Sequence, residues 1–519
     1  MHKRRAAIIA ALFCLIWAGS VGAQDVALRS RDGAIELVGT LLGFDGEFYR
    51  LQTQYGELTV DGSGVTCDGP GCPSLTDYVA ELSVSGSATA GSVLMPALIE
   101  GFARRNGLTA ERAATDPTHF TYALMQTDTG RLVGRFGFRV TNTDEGFADL
   151  LADEADIVMA LREIRPAEVR LARDAGLGNL LEANRSRVLA LDAMVPVVAG
   201  ANPVQSISLP QLARIAAGKL TNWRELGGPD APVILHLRDP RSGLAQGFED
   251  RVLRPARFSL REDVVRHASN AALSEAVARD PFGIGIASFS ELGNTRPLVL
   301  SGDCGFALRG TRRNVKTEDY PLTAPMFLYL PARRLPALAR EFLTYVRSAP
   351  AQIVIRRAGF VDQAVEEVPL DLQGDRIANA ISVAEGAEGL HELQRMISTL
   401  APMRRLTTSF RFETGSARLD AQSRSNVLQL AQALEDGDYD ARHLVFVGFS
   451  DGDGPAATNL SIAARRAETV RNAVLLAAET ADTARLDLRT EAFGEAMPMA
   501  CDETDWGRQV NRRVEVWVR

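Results

Sequence analysis

Lysine is almost missing from this chain. Lys3, Lys219 and Lys316 are the only three in 519 residues, and arginine carries the remaining positive charge. We assign that bias to base composition rather than to function. Histidine is also sparse, with six residues scattered at 2, 119, 236, 267, 391 and 443. None stands at metal-ligand spacing, and neither an H-E-x-x-H nor a G-x-S-x-G motif occurs, so the sequence gives no metal site, no cofactor and no enzyme to argue for. Phosphatase-like chemistry in the middle region has no residue pattern behind it. Excess positive charge is absent too: the formal net charge is −8, which argues against nucleic acid as a partner. Hydrophobic residues make up 46% and charged residues 24%, the balance of an ordinary globular protein.

Long apolar runs are absent after the first two dozen residues. Met1-His2-Lys3-Arg4-Arg5 is a short cationic start, Ala6 to Ala18 is unbroken apolar sequence, and Val21-Gly22-Ala23 is a small-x-small cleavage pattern. This reads as an export signal over 1–23 with Gln24 as the first mature residue. A retained anchor would need about 20 apolar residues, more than this run offers. Cys14 follows the bulky Phe13 mid-run, which argues against lipid attachment there. Four cysteines then remain. Cys67-Asp68-Gly69-Pro70-Gly71-Cys72 is a turn-rich loop, and in an oxidising compartment a Cys67–Cys72 disulfide is the favoured reading. Cys304 and Cys501 either pair or stay free.

The length suggests about three domains of ~150 residues. Residues 24–78 read as a small β-meander: Ile35–Leu41 and Glu47–Leu51 flank the turn signal Asp45-Gly46, and Glu57–Val60 follows Gly56. From 79 to 365 helical and strand patterns alternate, as in an α/β fold with parallel sheets. Val188–Leu191 and Val195–Val198 read as two buried strands, the second marked by Pro196 as a strand start or edge. Residues 366–406 read as a helical connector, and 407–519 as an α+β domain.

Three segments of the middle region place polar or basic residues just ahead of an expected helix. They are Gly86–Gly91 before 92–105, Leu161–Pro166 before 167–174, and Arg238–Gly243 before 244–253. A helix N-terminus offers unpaired N–H groups and a partial positive charge, so it accepts an oxyanion. The same hydroxyls also serve as plain N-caps. With Gly218-Lys219-Leu220-Thr221-Asn222-Trp223-Arg224-Glu225-Leu226-Gly227-Gly228, Ser242-Gly243 and Tyr320-Pro321-Leu322, this region resembles the phosphate-type (PstS-like) periplasmic substrate-binding proteins of ABC importers. That resemblance implies a two-lobed α/β type II binding-protein fold closing on a phosphate-like anion. It implies an anion site of Ser87, Thr89, Arg162, Arg238, Ser242 and Gly243, and an ABC permease as a further partner. Leu161 and Leu244 stand where the family usually has a serine and a threonine. Each lost hydroxyl removes a donor worth about 1–3 kcal/mol, so the resemblance leaves open phosphate, another small ligand, or a scaffold without ligand.

Near the C-terminus Gly448–Gly454 delivers Ser450-Asp451 at a strand end, and the expected helix over 459–477 carries Ile462, Ala463, Val470, Ala473 and Val474 on one face. Arg466 falls on that face and Arg465 outside it. A core-facing guanidinium needs an acceptor: either Asp451 itself, or a ligand shared with Asp451. Ser450-Asp451-Gly452-Asp453-Gly454, Asn459, Arg466-Ala467 and Asn511-Arg512-Arg513-Val514-Glu515 together resemble the OmpA-like peptidoglycan-binding domain. The resemblance implies that Asp451 takes the ammonium and Arg466 the carboxylate of diaminopimelate in the peptidoglycan stem peptide, with Asn459 beside them. It places the chain in the periplasm of a Gram-negative cell, associated with the wall at the inner face of the outer membrane. No series of alternating strands long enough for the barrel of some relatives is present. The expected fold class is therefore multidomain: a small N-terminal β-meander, a two-lobed α/β binding protein and a C-terminal α+β domain.

Overall fold

The computed structural model describes residues 25–74, 77–182, 184–302, 304–384, 386–413, 416–502 and 504–519. The expected export signal and cleavage site lie outside them.

The N-terminal unit is a five-stranded antiparallel sheet of Asp25–Ser30, Glu36–Phe44, Phe48–Thr53, Gly56–Asp61 and Val65–Asp68. The Asp45-Gly46 turn forms because Gly46 takes φ +96° and Asp45 Oδ1 accepts the N–H groups of Glu47 and Phe48 at 2.9 and 2.7 Å. Its core is small (Val26, Leu28, Tyr49 and Leu51), and the Cys67–Cys72 disulfide closes its last strand. The unit docks through Asp45 and Glu47, which pair with Arg334 at 2.6 and 2.7 Å.

The middle region has two lobes strung on one mixed sheet. The first lobe is built on strands Ala80–Ser87, Leu108–Ala114, His119–Gln126, Leu132–Thr141 and Ile157–Ala160. The second is built on Ile234–Arg238, Val265–His267 and Gly283–Ser288. Strand pairing is parallel within the core of each lobe, but it is not parallel throughout, contrary to the expectation of parallel sheets. The segment 108–141 folds as antiparallel neighbours, because its strands are joined by turns too short for a crossover. The two strands expected at 188–191 and 195–198 are a single strand, Ser186–Val198. Its first part pairs with Thr323–Tyr329 and its last part with Gly283–Ser288, so it runs from lobe to lobe. Pro196 is tolerated mid-strand because its carbonyl, and hence its missing N–H, face the sparsely paired side, where Leu298 N–H donates to Pro196 O at 2.8 Å.

The C-terminal sheet runs in the order Glu367–Pro369, Arg404–Arg411, Arg513–Val518, His443–Phe449, Asp487–Ala492. Helices Ala421–Glu435 and Ala456–Ala477 cover one face. Helices Gly374–Val383 and Gly386–Leu400 cover the other, packing Ala380, Leu393, Met396 and Leu400 onto Val445, Val447, Phe449 and Trp517. The segment read as a connector is thus a layer of this domain, since the sheet has an apolar residue on each face to bury. Arg376 of that layer reaches the fully buried Glu515 carboxylate, which also pairs with Arg513 at 2.7 Å and Arg405 at 3.2 Å.

The wall of contacts between this domain and the two lobes is extensive. Cys304 of the second lobe is disulfide-bonded to Cys501, and Arg405 grips Asp319 through two hydrogen bonds of 2.6 and 3.0 Å.

Candidate functional site

Two places gather the expected site residues. In the C-terminal domain, strand His443–Phe449 ends at Ser450, whose N–H is fixed to Gly494 O at 2.8 Å, and this sets Asp451 at the sheet edge. Asp451 is buried, and its partner is Arg512 Nη1 at 3.0 Å rather than Arg466. Arg466 is half-buried on the face shared by Ala463, Ala467, Val470 and Val474, while Arg465 is exposed. Among the described residues no acceptor lies within hydrogen-bond reach of the Arg466 guanidinium, which rests over the Phe412 ring at 5.4 Å. Burial and then the neighbouring Arg512 charge hold its pKa below the usual arginine value, with Asp451 opposing. A cavity of about 390 Å³ opens beside it, lined by Phe412, Glu413, Ile462 and Arg512. The desolvated Arg466 lines this cavity with Arg512, while Asp451 is paired with Arg512 and does not line it. A ligand with one carboxylate and one ammonium therefore meets both Arg466 and Asp451 only where Arg512 releases Asp451. Asn459 is buried away from that role. Its amide donates to Glu495 Oε2 at 3.0 Å and to Gly454 O at 3.5 Å, so it shapes the loop after Asp451.

The anion residues of the middle region are only partly gathered. Arg238 ends strand Ile234–Arg238 and is buried. It donates to His267 O at 3.3 Å, to Ala268 O at 3.0 Å and to Asn270 Oδ1, all neutral acceptors. Burial pulls its pKa down, and the more distant Glu291 and Asp239 only partly restore it. Ser87 is buried with its Oγ unpartnered among the described residues, and Thr89 is half-buried at the entry to the first helix without a capping bond. Ser242 Oγ accepts Ala245 N–H at 3.2 Å, so it caps the helix starting at Gly243.

Arg162 departs from the expected role. Its guanidinium binds Glu168 at 2.6 Å and Asp144 at 2.5 Å, so its charge is already matched by two carboxylates of its own lobe. The lobes meet here: Asp144 Oδ2 accepts Gln246 Nε2 from the second lobe at 2.9 Å, and Leu161 packs on Gly243. A Cβ on Gly243 would stand 2.7 Å from the Leu161 side chain. The cavity left between Leu161, Gly243 and Leu244 is about 10 Å³. Sequence reasoning missed Arg512 as the partner of Asp451, and Asp144 and Gln246 as the bridge between lobes. The doubled arginine of Asn511-Arg512-Arg513 was the available signal for the first; the bridge left none. The Gly218–Gly228 block is a packing element, with Trp223 fully buried and its Nε1–H on Phe282 O at 2.8 Å.

These features define a protein of two α/β lobes joined to a separate C-terminal α+β domain. The chain belongs to the PBP superfamily, whose domain matches residues 73–350, and the OmpA family matches residues 411–512. "Protein SphX" of Synechococcus elongatus is 29% identical over 243 residues, covering 44% of this chain and 68% of that protein. "Phosphate-binding protein PstS" of Bacillus subtilis is 31% identical over 186 residues, covering 35% of this chain and 60% of that protein. A solved ABC-type phosphate transport receptor from Vibrio cholerae aligns at 20% identity and TM-score 0.41, over 54% of this chain and 99% of that one.

Proposed function

We propose that this chain is a periplasmic solute-binding protein for phosphate or a related oxyanion, moored non-covalently to peptidoglycan by its C-terminal domain. The observation that carries the reading is a pair of arginines, Arg238 and Arg466. Both are desolvated, and neither has a carboxylate at salt-bridge distance among the described residues. Arg162, Arg376, Arg405 and Arg513, by contrast, are each matched by carboxylates. Arg187 and Arg251 share the unmatched state outside the expected sites, so Arg238 and Arg466 are singled out by combining it with the positions the family resemblance implies. A guanidinium held out of water without a counter-charge is costly, and an anion arriving at either of these two would offset that cost. At Arg466 the anion is the carboxylate of diaminopimelate, whose ammonium takes Asp451. At Arg238 it is a small oxyanion, completed by Ser87, Thr89 and the amides at Ser242-Gly243. The names of the curated relatives support phosphate, and an ABC permease is the partner to which such a carrier would deliver it.

A second reading has its own observation. Leu161 fills the junction of the lobes against Gly243, and Asp144 occupies donors there, which favours a wall-bound scaffold or sensor that serves no transport. Calorimetry of the mature chain with phosphate, sulfate and a phosphonate separates the two. Micromolar phosphate binding that is lost in Arg238→Ala supports the carrier; no heat with any anion leaves the scaffold. Co-sedimentation with purified sacculi tests the mooring, which fails if Asp451→Asn and Arg466→Ala pellet like the parent protein.

A further inference from the structure

The C-terminal domain touches both lobes, and it does so at the place where they close. On the second lobe the attachment is covalent at Cys304–Cys501 and buried at Arg405 on Asp319, with Arg411 on Glu318 O at 2.6 Å. On the first lobe it is lighter. The chain runs from helix Ala349–Arg357, packed in the first-lobe core, through Gln363, whose N–H donates to Gln352 Oε1 at 2.7 Å, into this domain. Gln422 and Gln429 Nε2 donate to Gln363 Oε1 and O. Ala421 N–H donates to Glu163 Oε1 at 3.2 Å, and Ser425 Oγ receives the N–H of Val188, on the lobe-to-lobe strand, at 3.3 Å. Ala421 also tucks among Phe147, Leu150 and Ile164 of the first lobe. Glu163 directly follows Leu161 and Arg162, the pair at the lobe junction. The helix that makes these light contacts, Ala421–Glu435, follows the stretch whose Phe412, Glu413, Ser416 and Ala417 line the Arg466 cavity.

We infer that the C-terminal domain is a clasp: fixed to the second lobe and latched to the first through Glu163 and Val188, it holds the two lobes closed and so sets the oxyanion affinity of the cleft. Rotating the lobes apart must break one set of contacts. The disulfide and the buried Arg405–Asp319 pair keep the domain with the second lobe, so the latch on the first lobe is the set that opens. With the Gln363 strap kept as the pivot, the closed form carries the Glu163 and Val188 hydrogen bonds and one buried side chain that the open form lacks. This also gives the mooring a purpose beyond location, since the module that grips the wall is mechanically part of the cleft. The affinity half of the inference rests on the oxyanion reading above; the clasp itself does not.

The test uses the full mature chain and the variant Glu163→Ala/Ser425→Ala, whose changes lie outside both proposed ligand sites. Calorimetry with inorganic phosphate is expected to show affinity about five- to thirtyfold weaker in the variant, the effect of losing two ordinary hydrogen bonds from one of two states. Spin labels on the exposed Thr129 and Glu262, one on each lobe, give a readout that needs no ligand. Pulsed dipolar spectroscopy should show a narrow distance distribution in the parent and a broader, longer one in the variant. Equal phosphate affinity in the two proteins, or equal distance distributions, overturns the clasp. If phosphate binds neither protein while the distances still differ, the oxyanion reading falls and the clasp stands.

Discussion

Replacing Arg466 by alanine should abolish wall binding without destabilising the fold, and replacing Glu515 by alanine should do the opposite. The contrast comes from what each group already holds. Arg466 has no hydrogen-bond acceptor among the described residues, so removing it breaks no ion pair. What is lost is the contact with the Phe412 ring, worth about 0.5–1 kcal/mol at a partly exposed site, and this is offset by relief of its unpaired burial. Net stability should therefore change by less than about 1 kcal/mol. The ligand, however, loses a charge-assisted pair of bonds worth about 1.5–3 kcal/mol each, so affinity for diaminopimelate should fall by at least about a hundredfold. Glu515 is fully buried, pairs with Arg376, Arg405 and Arg513, and accepts Trp517 Nε1–H at 3.1 Å. Its removal leaves three guanidinium groups facing one another, and breaking even one buried pair costs about 3–5 kcal/mol. Urea unfolding and sacculus co-sedimentation of both variants check this. An Arg466→Ala protein as unstable as Glu515→Ala would show that Arg466 is structural, and one that still binds sacculi would show that the ligand sits elsewhere.

Other outcomes follow from the same geometry. The Cys304–Cys501 bridge spans 197 residues and Cys67–Cys72 only 5, so loop-closure entropy makes the first worth about 5 kcal/mol and the second about 2; thermal melts of Cys304→Ser/Cys501→Ser and Cys67→Ser/Cys72→Ser should rank in that order. Gly243→Ala places a Cβ 2.7 Å from Leu161, an overpacking cost of about 1–3 kcal/mol on the closed lobes. Leu161→Gly in the same chain should rescue it, since alanine would keep a Cβ 2.9 Å away, and additivity of the two changes would refute the contact. Burial, with the Asp420 charge next, pushes the Glu318 carboxyl up to about 8. The folded state therefore binds a proton that the unfolded state has released above the ordinary carboxyl value of 4.5, so this group's contribution falls as pH rises from about 4.5 to 8. Glu318→Gln should flatten that fall in urea melts at pH 5 and 8, and an unchanged slope would count against it.

Local patterning was enough to expose the organisation of the chain. The Asp45-Gly46 and Gly56 turns, the helix over Ala456–Ala477 and the placement of Arg466 on its inner face all depend on residues within one or two turns of each other. Their periodicity is visible without tertiary contacts. Where neighbours did not decide, the sequence misled. Pro196 looked like a strand boundary because the partner that spares its missing N–H, Leu298, lies about a hundred positions away. The helices of 374–400 looked like a connector because the face they cover is made by strands further along the chain.

The amino-acid order alone fixed which modules are present and which residues are chemically equipped to hold a carboxylate, an ammonium or an oxyanion. Only the tertiary structure decided which of those charges are already spent. Arg162 is neutralised by Asp144 and Glu168, Asp451 is held by Arg512 from 61 positions away, and Arg466 is left unpaired. It also decided that Cys304 and Cys501 join, binding the C-terminal domain to the second lobe. The reason is physical: a buried charge takes its partner from whatever the fold brings within a few ångströms, and that proximity is a property of packing, not of spacing along the chain.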